Sequence, residues 1–222
     1  MHHDPAFRER CFDELGVPET ELFRDPEFWL KIKEDILPHV SREKEVNIWF
    51  PNSVNGFELY SFLLLILQHG NFEKFKMYLG SISAHGLSQI ARGFYAERSY
   101  HVSLENMARV GIRNAFNKNG MGKDEFMAAF HPGLRKVHFY RQDLFGKPLP
   151  SPMMNMIFYR NKFLSFNPEE HSVILSILCS KLKTGGMLFL GYRENIATMN
   201  QYHLQLLDPE ERIFERKTTK IT

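Results

Sequence analysis

Few side chains in this sequence are spaced for a ready-made reaction. The ten histidines are scattered, with no HExxH and no close cysteine partner, so the spacing that zinc ligation needs is missing. His131 and His138 read as surface or satisfied core residues. Ser, His and Asp all occur, but no GxSxG elbow presents a nucleophile. Cys11 and Cys179 are the two cysteines and lie in no CxxC or Cys/His cluster, which fits a reducing, cytosolic setting. What remains are the loops after apolar runs: after Phe50, after Ile82, around Asp143 and after Tyr159. Open α/β sheets bind ligands at the carboxyl ends of their strands, where such loops gather. The first, Pro51-Asn52-Ser53-Val54-Asn55-Gly56-Phe57-Glu58, holds one glycine. A glycine there lets backbone approach a ligand, and it suits a plain strand–helix connection equally well.

Those loops need a sheet to hold them. Residues 45–50 are mostly apolar and end at Pro51, which predicts a short buried strand. An apolar helix is expected over about 57–68, with Gly70 as its stop. A second strand over 74–82 and a helix over 84–92, closed by Gly93, follow. Strand, helix, strand, helix implies parallel strands joined by right-handed crossovers. Further on, 104–116 reads as helix, 117–123 as turns with an exposed turn at Asn117-Lys118-Asn119-Gly120, and 137–140 as strand. Pro148, Pro150 and Pro152 mark a loop, and 153–159 reads as a buried strand. A helix begins at Pro168 under an Asn167 cap, with Glu169 and Glu170 in its first turn. Gly185-Gly186 predicts a tight turn, and 187–190 a strand. Residues 202–207 and 212–216 flank Asp208-Pro209-Glu210-Glu211, which predicts a terminal antiparallel hairpin.

Upstream, Asp4-Pro5 and Asp25-Pro26 each look like a helix start with Asp as N-cap and Pro in the first position. Gly16 would end the first helix; Phe28, Trp29, Ile32, Ile36 and Leu37 give the second an apolar stripe. The expected organisation is a helical lead-in over 1–40, then an α/β domain over 41–222 with an insertion at about 103–135. The whole chain has 222 residues, 43% hydrophobic and 24% charged, with 20 phenylalanines. A formal net charge of +2 shows no clustered basic excess of the kind nucleic-acid binders carry. The most apolar run, 62–67, is too short to cross a bilayer, and the start shows no signal-peptide pattern. The opening residues read like the middle of a longer protein.

Six segments, in order, resemble one family. Thr20-Glu21-Leu22-Phe23-Arg24-Asp25-Pro26 is similar to the T-x-F-F-R-D segment of CheR-type chemotaxis-receptor methyltransferases. The stretch 49–61, ending Gly56-Phe57-Glu58-Leu59-Tyr60-Ser61, resembles W-S-A-G-C-S-T-G-E-E-P-Y-S. Ile82-Ser83 through Ala91-Arg92-Gly93-Phe94-Tyr95 resembles A-T-D-I-S…A-R-x-G-x-Y. Ile157-Phe158-Tyr159-Arg160-Asn161 resembles I-F-C-R-N. Leu182-Lys183-Thr184-Gly185-Gly186 and Gly191-Tyr192-Arg193-Glu194-Asn195 resemble L-K-P-G-G and G-H-S-E-N.

The resemblance implies a class I, Rossmann-like methyltransferase fold: a mostly parallel twisted sheet, helices on both faces, and the C-terminal hairpin supplying the antiparallel strand. It implies S-adenosylmethionine as cofactor and methyl transfer to glutamate carboxylates of a chemoreceptor or similar signalling protein in the cytoplasm. Such chemistry needs no general base, because a carboxylate of pKa about 4.3 is already ionised at neutral pH; catalysis rests on positioning. Carried over by residue, Arg24 would pair with the incoming carboxylate as the catalytic residue. Thr20, Arg24, Gly56, Glu58, Ser81, Asp143, Leu144, Arg160 and Asn161 would contact the cofactor. No metal, nucleic acid or membrane insertion is implied, and the insertion would carry receptor-docking elements near the crevice mouth.

Six departures cluster on that one pocket. Asn52 stands at the family's first-loop glycine, Val54 and Asn55 in its small hydroxyl-rich segment, and Ser81 at the acid that holds the ribose. Asp143 replaces an asparagine, Ser165 a tyrosine, and Tyr192-Arg193 a His-Ser pair. The alternative expectation is therefore a non-catalytic binding or regulatory module that has lost cofactor use.

Overall fold

The computed structural model describes residues 20–70, 72–93, 100–112, 133–145, 152–163, 166–196 and 199–218. The helix expected from Asp4, the turn expected at 117–120, and Cys11, Pro148, Pro150 and Ser165 lie outside the described residues.

Seven strands form one sheet: β1 (Val46–Phe50), β2 (Phe75–Ser81), β3 (Val137–Arg141), β4 (Met154–Phe158), β5 (Leu182–Phe189), β6 (Leu204–Asp208) and β7 (Ile213–Arg216). Their order is β3-β2-β1-β4-β5-β7-β6. The first five are mutually parallel, β7 runs antiparallel to β5, and β6 and β7 make the expected hairpin. β1 lies inside the sheet, between β2 and β4, and is buried on every residue, as the unbroken apolar run of a parallel strand requires. Val46, Ile48 and Phe50 enter one core layer and Trp49 the other. The chain reverses its direction of winding between β1 and β4, so their carboxyl ends flank the crevice of the sheet.

Helix α1 (Pro26–Lys31) passes through a widened π turn, Ile32–Ile36, into α2 (Leu37–Val40). Pro38 has no N–H to give the preceding turn, which accounts for the widening there. The predicted stripe Phe28, Trp29, Ile32, Ile36 and Leu37 is buried throughout. It meets Phe158 of β4, whose ring stacks on Phe50 at 4.9 Å and contacts Phe189 at 4.6 Å and Trp29 at 5.9 Å. One aromatic cluster thus joins the lead-in helix to three strands. α3 (Phe57–His69) and α4 (Ala84–Ala91) follow β1 and β2, and α5 (Tyr100–Val110) lies between α4 and β3. On the other layer, α6 (Pro168–Lys181) buries Ile174, Leu175 and Leu178. Its expected cap is complete: Asn167 Oδ1 accepts the Glu169 and Glu170 N–H groups, and Glu170 accepts the Asn167 N–H.

Three sequence expectations are corrected. Gly185-Gly186 is not a tight turn between elements: both lie within β5, where the pairing with β4 shifts between Met154 and Met156. Gly185, at φ +76°, lets the strand bulge and continue. The helix expected over 104–116 starts at Tyr100 and closes at Val110, because Gly111 adopts a left-handed φ of 78°. Asp25 does not cap α1 with its side chain; it is itself left-handed at φ 58° and turns its carboxylate elsewhere.

Among the described residues, no helix is long and apolar enough to cross a membrane.

Candidate active site

The β1–α3 loop is tied down by its own backbone. Asn52 is left-handed at φ 49°, and the Ser53 N–H donates to the Gly80 carbonyl at 2.9 Å. Gly56 enters α3 at φ 78°, and a Cβ there would lie 2.6 Å from Ile90 Cγ2. Both the backbone conformation and the closeness of α4 require glycine at this position. Glu58 follows in the first turn of α3.

At the end of β2, Ser81 is fully buried, and its Oγ accepts the Ser83 N–H at 3.4 Å. Ser83 then caps α4 through the Gly86 N–H at 2.8 Å. Gln142, the first residue after β3, donates its N–H to the Ser81 carbonyl and accepts from the Tyr140 hydroxyl at 3.1 Å. Its side chain fills the space above Gly80, where a Cβ would lie 2.1 Å from Gln142 Oε1. Gln142 Nε2 is buried and has no hydrogen-bond partner among the described residues. Asp143 Oδ1 accepts the Phe145 N–H at 3.0 Å, making a turn, and Leu144 packs into the second core layer.

The most charged part of the crevice lies between β4 and the segment before α1. The Arg160 guanidinium lies over the Phe28 ring at 3.8 Å. Its Nη2 meets Asp25 Oδ2 at 2.5 Å; its Nη1 donates to the Arg24 carbonyl at 3.3 Å and stands 3.9 Å from Glu58 Oε1. Lys162 Nζ reaches Glu58 Oε2 at 3.2 Å. Side-chain exposures of 2% for Arg160, 9% for Glu58 and 10% for Lys162 make this a largely desolvated network. Asp25 takes its left-handed conformation because its carboxylate serves Arg160 instead of the helix end. The Arg24 carbonyl also accepts from Trp29 Nε1 at 3.0 Å, and the Phe23 N–H donates to Ser61 Oγ at 2.8 Å. The Arg24 side chain is half-buried and has no acidic partner among the described residues.

One further carboxylate sets the turn that carries Arg160 and Lys162. Glu194 accepts the N–H groups of Asn161 at 2.8 Å, Phe163 at 2.7 Å and Gly191 at 2.7 Å. Burial pushes its carboxyl above the ordinary glutamate value, and the three N–H groups pull against that shift. Asn161 is left-handed at φ 57°, and its amide occupies the space a Gly191 side chain would need.

The residues read from the sequence therefore divide. Glu58 and Arg160 meet directly, with Arg24 joining through its carbonyl; Gly56 and Ser81 shape the two neighbouring loops. The Asn161 side chain lies against Gly191, Leu144 lies in the core, and Thr20 is exposed. Asp25, Gln142, Lys162 and Glu194 were missed as site residues. Lys162 had a signal, as a second cation just after Arg160-Asn161 in the loop beyond a predicted strand; Gln142 had another, as the first residue beyond a strand. Cys179 is no nucleophile: it sits in the second core layer, and burial pushes its thiol up to about 12. Among the described residues no group of acids, histidines and cysteines could hold a metal.

The strand order, the antiparallel β7 between β5 and β6, and a crevice at the reversal between β1 and β4 define the class I S-adenosylmethionine-dependent methyltransferase fold. Residues 18–211 match the family model described as CheR methyltransferase, SAM binding domain. The chain belongs to that family. It is 29% identical over 195 residues to the chemotaxis protein methyltransferase of Vibrio parahaemolyticus, covering 85% of this chain and 69% of that protein. It is 26% identical over 211 residues to chemotaxis protein methyltransferase 1 of Pseudomonas aeruginosa, covering 89% and 73%. Among solved structures, PKMT2 from Rickettsia typhi in complex with AdoHcy is a remote likeness, with a TM-score of 0.39, 10% identity and coverage of 66% and 21%.

S-adenosylmethionine is the cofactor of this family's domain, and the residues present fit it at both ends. The desolvated charges of Glu58 and Arg160 suit the ammonium and carboxylate of an amino acid. The unspent Gln142 Nε2 beside Ser81 offers a buried donor to a hydroxyl-bearing group.

Proposed function

We propose that this protein is an S-adenosylmethionine-dependent protein carboxyl methyltransferase that acts in the cytoplasm on glutamate side chains of a chemoreceptor or similar signalling protein. The observation that carries the reading is the largely desolvated Asp25–Arg160–Glu58–Lys162 network at the carboxyl ends of β1 and β4, which Arg24 joins through its carbonyl. When bound, the cofactor supplies an electrophilic methyl group on a sulfonium. Glu58 is placed to hold its ammonium and Arg160 its carboxylate. On this reading Ser81 and Gln142 are the residues that would receive the ribose hydroxyls. Arg24, half-buried and without an acidic partner among the described residues, is placed to orient a substrate carboxylate. That carboxylate arrives ionised at neutral pH, with its usual pKa of about 4.3. The chain's own task is then to hold two partners in line, and well-oriented reactants gain about 7–11 kcal/mol from proximity alone.

The test is transfer of labelled methyl from S-adenosylmethionine to a purified receptor cytoplasmic fragment, with the product read as base-labile methyl ester. Label that appears on receptor glutamates supports the proposal; none on any receptor fragment, with a related active enzyme as control, removes it.

One observation favours the second reading, a non-catalytic module. Ser81 is fully buried at the position of the family's ribose-holding acid, and its hydroxyl already accepts from Ser83. A module of that kind would bind its signalling partner without S-adenosylhomocysteine having any effect.

A further inference from the structure

Lys162 extends back from the turn after β4 to the first turn of α3, where its ammonium meets Glu58 at 3.2 Å. Glu58 does not depend on it for a cation, because Arg160 stands 3.9 Å from the other carboxylate oxygen. The first turn of a helix also favours a carboxylate without help. Nor does Lys162 hold the turn that carries it: Glu194 does that through the backbone of Asn161 and Phe163. Asp25 takes the far edge of Arg160. Asp25, Glu58, Arg160 and Lys162 thus form one cluster, largely desolvated except at the partly exposed Asp25. Lys162 adds one positive charge beside Glu58.

We infer that Lys162 competes for Glu58 with any ammonium entering the crevice and adds positive charge to it, so that it disfavours a cationic ligand relative to a neutral one. The inference rests on the reading that this crevice receives S-adenosylmethionine. That cofactor carries a sulfonium, an ammonium and a carboxylate, for a net charge of +1. Its product, S-adenosylhomocysteine, lacks the sulfonium and is a neutral zwitterion. With Lys162 in place, an entering ammonium must displace it from Glu58. A sulfonium entering the same crevice meets the repulsion of the Lys162 ammonium. Removing the Lys162 charge relieves its competition for Glu58 and makes the crevice one unit more negative, which favours the cationic cofactor over the neutral product. Lys162 thereby acts as a specificity residue that tips the crevice towards the product.

The test is calorimetric titration of the full chain, wild type and Lys162→Met, with each ligand separately in one buffer. Lys162→Met is expected to bind S-adenosylmethionine about ten-fold tighter and S-adenosylhomocysteine about three-fold tighter, since a nearby unit charge at protein-surface dielectric is worth up to a few kcal/mol before solvent screening. The affinity ratio of the two ligands should therefore shift about three-fold towards the cofactor, while Lys162→Arg, which keeps the charge, leaves the ratio at its wild-type value. A variant that is partly unfolded weakens both ligands by one factor and leaves the ratio readable. An unchanged ratio in Lys162→Met, with wild type binding, overturns this inference and leaves the cofactor reading standing. Weaker binding of both ligands by a folded Lys162→Met also overturns it, because Lys162 would then be contacting the ligand. No binding of either ligand by wild type or variant overturns the cofactor reading and the inference together. Binding by Lys162→Met alone supports it in its strongest form.

Discussion

The Glu194 carboxylate accepts the Asn161 N–H at 2.8 Å and joins the turn after β4 to the turn after β5. Neither turn has a regular ladder to hold it, so one side chain supplies the acceptor for three buried N–H groups. Glu194→Gln turns one acceptor oxygen into a donor that faces at least one of those groups. A buried unsatisfied group costs about 1–3 kcal/mol. Urea unfolding of the variant should show a loss in that range. Affinity for S-adenosylhomocysteine should fall beyond what instability explains, because Arg160 and Lys162 lose their fixed turn. A variant as stable as wild type would remove Glu194 from this role.

Arg24 is half-buried, and its backbone carbonyl, not its side chain, makes the structural bonds to Trp29 and Arg160. Arg24→Ala should therefore keep the melting temperature while lowering methyl transfer about 100-fold or more, since a mis-set reactant costs that much. Binding of S-adenosylhomocysteine should change less than turnover. Equal losses in both would place Arg24 on the cofactor alone, and wild-type activity would take it out of the site.

Ser81 is closed off from solvent, so an acid there would be buried. Ser81→Asp should lower the stability of the unliganded protein by about 1–3 kcal/mol, the cost of a partly paired buried charge. It should tighten S-adenosylhomocysteine binding about ten-fold, or 1.4 kcal/mol, because two ribose hydroxyls gain a charged acceptor. Melting curves with and without ligand read both effects. Lost stability with no gain in affinity would mean that the ribose does not reach β2.

The Cys179 thiol is pushed up to about 12 from 9.0, with burial as the cause. Its pKa in the folded state exceeds that in the unfolded state, so between those values the folded protein holds a proton that the unfolded chain has released. Stability from this group is complete below pH 9 and falls as pH rises towards 12, by about 1.4 kcal/mol per pH unit at the steepest. Wild type should accordingly lose its lead over Cys179→Ala above pH 9 in denaturant titrations. In a Cys11→Ser background, thiol labelling at pH 8 should proceed only at the rate of unfolding. Rapid labelling of the folded protein would show the cysteine to be accessible.

Much of the fold was legible in advance because local patterns and the global sheet agree. Residues 45–50 have the apolar run that suits a strand buried on both faces, and β1 lies inside the sheet between β2 and β4. Asn167 with Glu170 specified a helix start that no tertiary contact disturbs. The ordered segments around Gly56, Arg160 and Gly191 identified the family. Where the reading failed, a distant partner had outbid the local signal. Asp25 carries the pattern of an N-cap, but Arg160, 135 residues away, takes its carboxylate. Gly185-Gly186 has the composition of a turn, but pairing with β4 absorbs it into β5.

By itself, then, the sequence determined the order of strands and helices, the crevice-lining loops and the family, because periodicity, caps and short motifs are local in the chain. The tertiary structure alone decided which charges meet. Glu58 and Lys162 are 104 residues apart, and Asn161 and Glu194 are 33 apart. Their pairing depends on burial and on the turn geometry between β1, β4 and β5, and ion pairs leave no periodic trace in a single chain. The same holds for Ser81: its type was readable, but its closure under Gln142 and the β1 loop follows from packing that only the assembled sheet defines.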